Sequence, residues 1–251
     1  MKPGWRAASR EPRAALITGG GVRVGRAIAL GLAREGFRVV VHYGRSQDDA
    51  ERVVREIRDA GGEAVAIQAD LRNLAQVERL AAEAEAAFGA VDVLVNNAAT
   101  FAGEGIGDVS PEIWSSALDI NLRAPFFLTQ HLAEGMRARG GGVVINITDL
   151  SGMQAWSGHA AHGIAKAGLV HFTRIAARQL GPEVRVNAIA PGTVLPPDGT
   201  SEDEIERLAS RSALGRIGDP ADVVQAVLYL VRADFVTGQL LAVDGGRLVH
   251  D

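Results

Sequence analysis

The chain has 251 residues, of which 47% are hydrophobic and 22% charged, with a net charge of −4. That length buries a sizeable core without covalent staples. It contains no cysteine, which excludes disulfides, thiolate zinc sites and thiol nucleophiles and fits a cytoplasmic protein. No apolar run reaches the roughly 20 residues of a membrane span, and no basic patch carries interleaved aromatics. The expected partner is a small molecule, with neither nucleic acid nor membrane.

The N-terminal stretch is basic and lacks the apolar run of a signal peptide. Residues 1–12 are expected to be a disordered lead-in, and 13–251 a single domain. From there, short β-branched apolar runs alternate with longer helical patterns. Strands are predicted at Ala14–Thr18, Arg38–Tyr43, Glu63–Gln68, Val91–Asn96, Gly142–Ile147, Arg185–Ile189 and Gln239–Val243. Helices are predicted at Val24–Glu35, Asp48–Ala60, Leu74–Phe88, Pro111–Arg139, Gly158–Leu180 and Pro220–Val231. Strands apolar on both faces and alternating with helices predict an α/β, doubly wound parallel sheet of seven strands with helices on each side. The polar stretch Thr193–Ser212, with Pro196, Pro197, Gly199 and then a short helical pattern, should project beyond the strand ends where ligands sit.

The first strand runs into a glycine-rich turn, Thr18-Gly-Gly-Gly-Val-Arg-Val-Gly, and then a helix. Such a turn lets backbone amides and a helix N-terminus approach a pyrophosphate. A turn without a ligand would look similar, but its place between strand and helix favours a nucleotide. Selection of NAD requires an acidic residue about 20 residues later, on the ribose. Residues 37–47 hold no Asp or Glu; they hold Arg45 and Ser46, and Arg23 sits inside the turn. Guanidinium groups there would bind a 2′-phosphate, so the cofactor expected is NADPH (NADP). Asp70 and Leu71 follow the third strand, Asn96 to Ala99 end the fourth, Pro191, Gly192 and Thr193 end the sixth, and Val243 to Gly246 follow the last.

In this order and spacing the motifs resemble the short-chain dehydrogenase/reductase family over nearly the whole chain, from about Ala14 to about Gly246. Within the family the chain looks like the pteridine reductases. Arg23 stands where the usual turn has its middle glycine (Thr18, Gly19, Arg23, Gly25). The second strand ends in His-Tyr-x-Arg-Ser (His42 to Ser46), and Phe101 follows the Asn-Asn-Ala motif. Residues 184–199 and 216–247 also look like bacterial members of that group. The resemblance implies a Rossmann-type fold. It implies cofactor contacts at Gly19, Arg23, Val24, Gly25, Tyr43, Arg45, Ser46, Asp70, Leu71, Asn97, Ala98, Lys166, Pro191, Gly192 and Thr193. It also implies a homotetramer assembled through the two long helices and the last strand. Phe101 is either a stacking platform for a planar substrate or a packed loop aromatic. Ala99 departs from the serine usual in pteridine reductases.

The family's catalytic pattern is a Tyr four positions before a Lys, with a Ser thirteen before the Tyr and an Asn on the preceding helix. Pteridine reductases use Asp for the Ser. Lys166, Asp149 and Asn121 match, but the tyrosine position is His162. Trp156 lies between Asp149 and His162 in sequence and either walls a substrate pocket or anchors the loop. A nearby Lys lowers the pKa of an imidazole and a nearby Asp raises it, so the residues alone leave the net sign open. His162 can donate directly, through a water, or orient Asp149 as the acid; the rival is lost chemistry, leaving a cofactor-binding protein. The leading expectation is an NADPH-dependent reductase of a pterin or dihydropteridine, with a 3-oxoacyl-type carbonyl reductase as the enzymatic alternative. His159 and His162 are three apart, yet the neighbouring Lys166 opposes a cation and no metal is expected.

Overall fold

In a computed structural model of the chain, residues 13–89, 91–101, 103–196 and 199–250 are described. The lead-in expected over residues 1–12 and Pro197 lie outside them. Seven parallel strands run in the order β3-β2-β1-β4-β5-β6-β7. They are β1 (Ala14–Ile17), β2 (Arg38–Tyr43), β3 (Ala64–Gln68), β4 (Val93–Asn96), β5 (Gly142–Ile147), β6 (Val184–Pro191) and β7 (Leu240–Val243).

The helices are α1 (Arg23–Arg34), α2 (Gln47–Asp59), α3 (Leu74–Phe88), α4 (Pro111–Leu118), α5 (Ala124–Ala138), α6 (Ala160–Leu180), α7 (Glu202–Ala209) and α8 (Pro220–Arg232). Alternate side chains of each strand enter opposite layers. Ala15, Ile17, Val39 and Val41 pack beneath α1, α2 and α8 with Ile28, Val53 and Val227. Leu16, Val40, Leu94 and Val144 pack beneath α3, α5 and α6 with Leu80, Leu128 and Leu169. This two-sided burial is why the strands read as continuous apolar runs.

Cap residues set several helix starts. Ser110 caps α4 ahead of Pro111, and Asp219 with Asp222 forms a capping box ahead of Pro220. The single helix expected over Pro111–Arg139 is instead α4, a π-helical segment at Asp119–Arg123, and α5. Pro125 explains the break: it has no N–H to bond the carbonyl four residues back, and the backbone widens by one residue. The widened turn carries Asn121. Polar residues 193–212 do yield a short helix, α7, beyond the end of β6.

The connections after β1 and β4 leave in opposite directions along the sheet, so a crevice opens between the carboxyl ends of these two strands. That is where open α/β sheets bind ligands. Among the described residues, no helix is long and apolar enough to cross a membrane.

Candidate active site

The crevice is a cleft of about 550 Å³ lined by, among others, Gly19, Arg23, Arg45, Asp70, Asn97 and Ala98. Val24, Gly25 and Leu71 also line it, whereas Tyr43, Ser46, Lys166, Pro191, Gly192 and Thr193 lie outside that lining. Its floor is made by close backbone approach. A Cβ on Gly25 would stand 2.1 Å from the Gly19 carbonyl oxygen and 2.5 Å from Asn97 Nδ2, so only glycine lets α1 start here. Asn97 Nδ2 donates to the carbonyls of Thr18 and Gly19 at 2.9 and 3.2 Å, and Thr18 Oγ1 accepts from the amides of Asn97 and Ala98. These bonds clamp the turn after β1 to the end of β4.

A second clamp was not foreseen. His42 Nδ1 accepts from the Gly19 amide at 3.1 Å, and Nε2 lies 3.0 Å from the Ala69 carbonyl, to which it donates. Burial, only partly offset by the Ala69 hydrogen bond, holds the His42 pKa down at about 4. The ring is therefore neutral and acts as a strut between the glycine turn and the end of β3. A lone polar residue in an otherwise apolar, doubly covered strand was the signal that could have found it.

The charges at the far end fit a dinucleotide phosphate. Arg23, Arg45 and Arg72 line the cleft together, and Arg23 holds the left-handed conformation (φ 52°), the one non-glycine among the described residues to do so. Its guanidinium reaches across to the Leu195 carbonyl. Arg72 grips Asp70 with two nitrogens at 2.7 to 3.2 Å. That hydrogen-bonded pairing holds the Asp70 carboxyl at about 2. A bare backbone floor, an amide-rich turn and three arginines suit a phosphorylated adenosine, and no carboxylate other than the neutralised Asp70 lines the cleft.

At the other end the cleft reaches Thr100, and there the acid–base group begins. Thr100 exchanges two 3.0 Å hydrogen bonds with the Asn121 amide. Its carbonyl also lies 2.9 Å from His162 Nδ1, while His162 Nε2 lies 2.6 Å from Asp149 Oδ2. Nδ1 also lies 3.4 Å from Asn121 Nδ2, so the ring is held from both of its nitrogens. Asp149 Oδ1 accepts from the Ser151 amide at 2.8 Å and from the Ser151 hydroxyl. Burial opposes ionisation of Asp149, but the His162 and Ser151 hydrogen bonds and the Lys166 charge outweigh it and hold its pKa at about 2. His162 is 2% exposed at its side chain and Asp149 22%, so the carboxylate, not the imidazole, is the member presented outward.

Lys166 Nζ donates to the Ile147 carbonyl at 2.9 Å. Burial lowers its pKa to about 8, against the opposing charge of Asp149. Phe101 is 60% exposed. Its ring stacks on His159 at 4.2 Å and meets His162 edge-on at 4.8 Å. Half-buried Trp156 meets His159 at 5.9 Å and has the Arg247 guanidinium 5.7 Å from its ring centre. Among the described residues no group of His, Asp and Glu could hold a metal ion.

Three sets of relatives bear on this site. A family model described as enoyl-(acyl carrier protein) reductase matches residues 21–247. The 3-oxoacyl-[acyl-carrier-protein] reductase FabG of Staphylococcus epidermidis is 36% identical over 239 residues, covering 93% of this chain and 98% of that protein. A 3-oxoacyl-[acyl-carrier-protein] reductase of Synechocystis is 37% identical, with 94% and 96% covered. Among solved structures, FolM alternative dihydrofolate reductase 1 of Brucella canis, complexed with NADP, superposes with a TM-score of 0.90 at 33% identity, covering 95% of each chain. A putative short-chain alcohol dehydrogenase of Sinorhizobium meliloti gives 0.90 at 28% identity, with 96% of this chain and 98% of that one covered.

Proposed function

We propose, for a chain that belongs to the short-chain dehydrogenase/reductase family, the NADPH-dependent reduction of a planar nitrogen heterocycle of the pterin or dihydropteridine type. The chain is an oxidoreductase of a family that uses a nicotinamide cofactor. The finer reading rests on one observation: an ionised carboxylate, Asp149, paired with buried His162 beneath the exposed ring of Phe101.

NADPH, when bound, supplies a hydride at the carbon of its nicotinamide ring. The chain's residues do the rest. Arg23 and Arg45 select the 2′-phosphate, since each charge-assisted hydrogen bond to it is worth about 1.5–3 kcal/mol. The Asn97 and His42 clamps hold the turn that receives the pyrophosphate. Lys166, with donors beyond the one given to Ile147, orients the nicotinamide ribose. Phe101 offers a face on which a flat ring stacks.

Reducing a C=N bond also requires a proton on nitrogen. The relay runs through His162 Nε2 and Asp149 Oδ2, 2.6 Å apart: a proton leaving Nε2 passes by way of Oδ2 to the substrate nitrogen, while the Thr100 carbonyl holds the ring at Nδ1. Asp149, the outward member of the pair, accepts the replacement proton from water. Ser151 fixes the other carboxylate oxygen, so Oδ2 is the one that turns over. A basic imine nitrogen takes a proton more readily than a ketone oxygen does, which suits this donor.

The reduction of 3-oxoacyl thioesters is the second reading, favoured by the named activity of the bacterial relatives and by Ala99. Residues 13–251 act as one domain in either reading. Exposed Phe126, Ile164 and Ile175 on α5 and α6 support assembly of the homotetramer through those helices. Initial rates of NADPH oxidation with dihydrobiopterin and with an acetoacetyl thioester decide between the substrates. The reading expects kcat/KM for dihydrobiopterin to exceed that for the thioester; the reverse order overturns it.

A further inference from the structure

The aromatic wall of the substrate side does not end at the reacting centre. From His162 it runs through Phe101, His159 and Trp156 in successive ring contacts of 4.8, 4.2 and 5.9 Å. It then reaches the guanidinium of Arg247, 5.7 Å from the Trp156 ring centre. Arg247 is half-buried and gives one weak hydrogen bond to Thr193 Oγ1, at 3.3 Å. Its nearest acidic neighbour in sequence, Asp244, is already engaged, one oxygen accepting from the Gly246 amide at 2.9 Å and the other from the Leu248 amide at 2.8 Å.

A second arginine lies in the same place. Arg211 precedes Ser212, whose hydroxyl donates to the Gly245 carbonyl at 3.0 Å, two residues from Arg247. Among the described residues neither Arg211 nor Arg247 has an ion-pair partner. Burial and the Arg211 charge, with Asp244 opposing them, hold the Arg247 pKa below its ordinary value. Two neighbouring cations, one of them partly desolvated and its acidic neighbour Asp244 already engaged by two backbone amides, are a cost in the free protein that a bound anion removes. Thr193 and Arg247 also stand on the wall of a separate cleft of about 680 Å³ between α7, α8 and β7, so space continues beyond the arginines.

We propose that Arg247 and Arg211 form an anion subsite at the outer end of the Phe101–His159–Trp156 wall, so that the preferred substrate carries a carboxylate or phosphate on a tail reaching away from the reduced ring. This deepens the reading of the same site and rests on it for the identity of the ring. The shared chemistry, an extended anion, could be a carboxylated arm on a heterocycle or the phosphate of a thioester-bearing arm.

The test compares dihydrofolate, which has a dicarboxylate tail, with dihydrobiopterin, which has none, in the NADPH-loaded protein. In Arg247→Gln the ratio of kcat/KM for dihydrofolate over dihydrobiopterin should fall about tenfold or more, the effect of losing a charge-assisted hydrogen bond. Arg247→Lys should recover part of the ratio, and Arg211→Gln, at an exposed position that folding tolerates, should lower it in the same direction. An unchanged ratio in both glutamine variants overturns the subsite. If neither pterin is reduced, the heterocycle reading falls, and calorimetric titration with p-aminobenzoylglutamate and with phosphopantetheine decides the subsite separately. Binding of either that weakens about tenfold in Arg247→Gln upholds it and identifies the source of the anion; no binding of both overturns it.

Discussion

Replacing Asp149 by asparagine separates the proton-transfer account from a merely structural one. The substitution keeps the shape of the side chain and a partner for Ser151, but removes the charge that faces His162 at 2.6 Å. Two routes give its cost to stability. The drop of the Asp149 pKa from 3.8 to about 2, at about 1.4 kcal/mol for each pH unit, corresponds to about 2 kcal/mol. Breaking a fully buried pair typically costs about 3–5 kcal/mol, but Asp149 is partly open to water, so the lower figure is the better one. For a chain of this length that lowers Tm by about 4–8 °C.

The pH dependence fixes the sign. A carboxyl whose folded pKa is depressed contributes stability above its unfolded pKa and loses it as pH falls through the folded value. The Tm difference between wild type and Asp149→Asn should therefore be full above about pH 4 and shrink as pH approaches about 2. Kinetically, kcat for dihydrobiopterin should fall by about 10²–10⁴, the usual effect of losing a general acid, while the dissociation constant for NADPH, read by fluorescence, moves by less than about twofold. An Asp149→Asn variant that keeps wild-type kcat refutes the proton route whatever its Tm.

Arg23→Gly should weaken NADPH about tenfold or more through loss of its charge-assisted contact and leave NADH affinity little changed, measured as two dissociation constants; glycine also suits the φ of 52° found there. His42→Leu leaves the Gly19 amide and the Ala69 carbonyl without partners. It should cost about 1–3 kcal/mol for each and raise KM for NADPH, checked by thermal melts beside kinetics. Lys166→Met removes a buried cation whose folded pKa, about 8, lies below its unfolded value. That group gains stability as pH rises from about 8 towards 10.5, so the variant should be no less stable than wild type at pH 7. Its KM for NADPH should nonetheless rise, and wild-type activity should decline above about pH 8 as Nζ loses its proton.

Much of this architecture was legible because its causes are local. Strands covered on both faces read as apolar runs, and all seven fell where predicted, β6 extending two residues further, to Pro191. The floor of the cleft was legible for a steric reason: Gly25 can be nothing else beside the Gly19 carbonyl. What escaped depends on contacts between segments far apart in the chain. The Thr100 carbonyl and the Ser151 donors hold His162 and Asp149 against each other, and neither residue stands out in sequence, although Ser two positions after Asp is the spacing of a side-chain-to-backbone turn. The break at Asp119–Arg123 follows from Pro125, which a periodicity reading passed over because the apolar pattern continues through it.

The most direct test of the central claim is isotope transfer from NADPH carrying deuterium at the transferable nicotinamide position. The purified protein is incubated with this cofactor and dihydrobiopterin, and the product is weighed by mass spectrometry. The account predicts a tetrahydropterin one mass unit heavier than the product made with ordinary NADPH, formed by wild type and strongly diminished in Asp149→Asn. Deuterium appearing in hydroxyacyl thioester but never in pterin would contradict it.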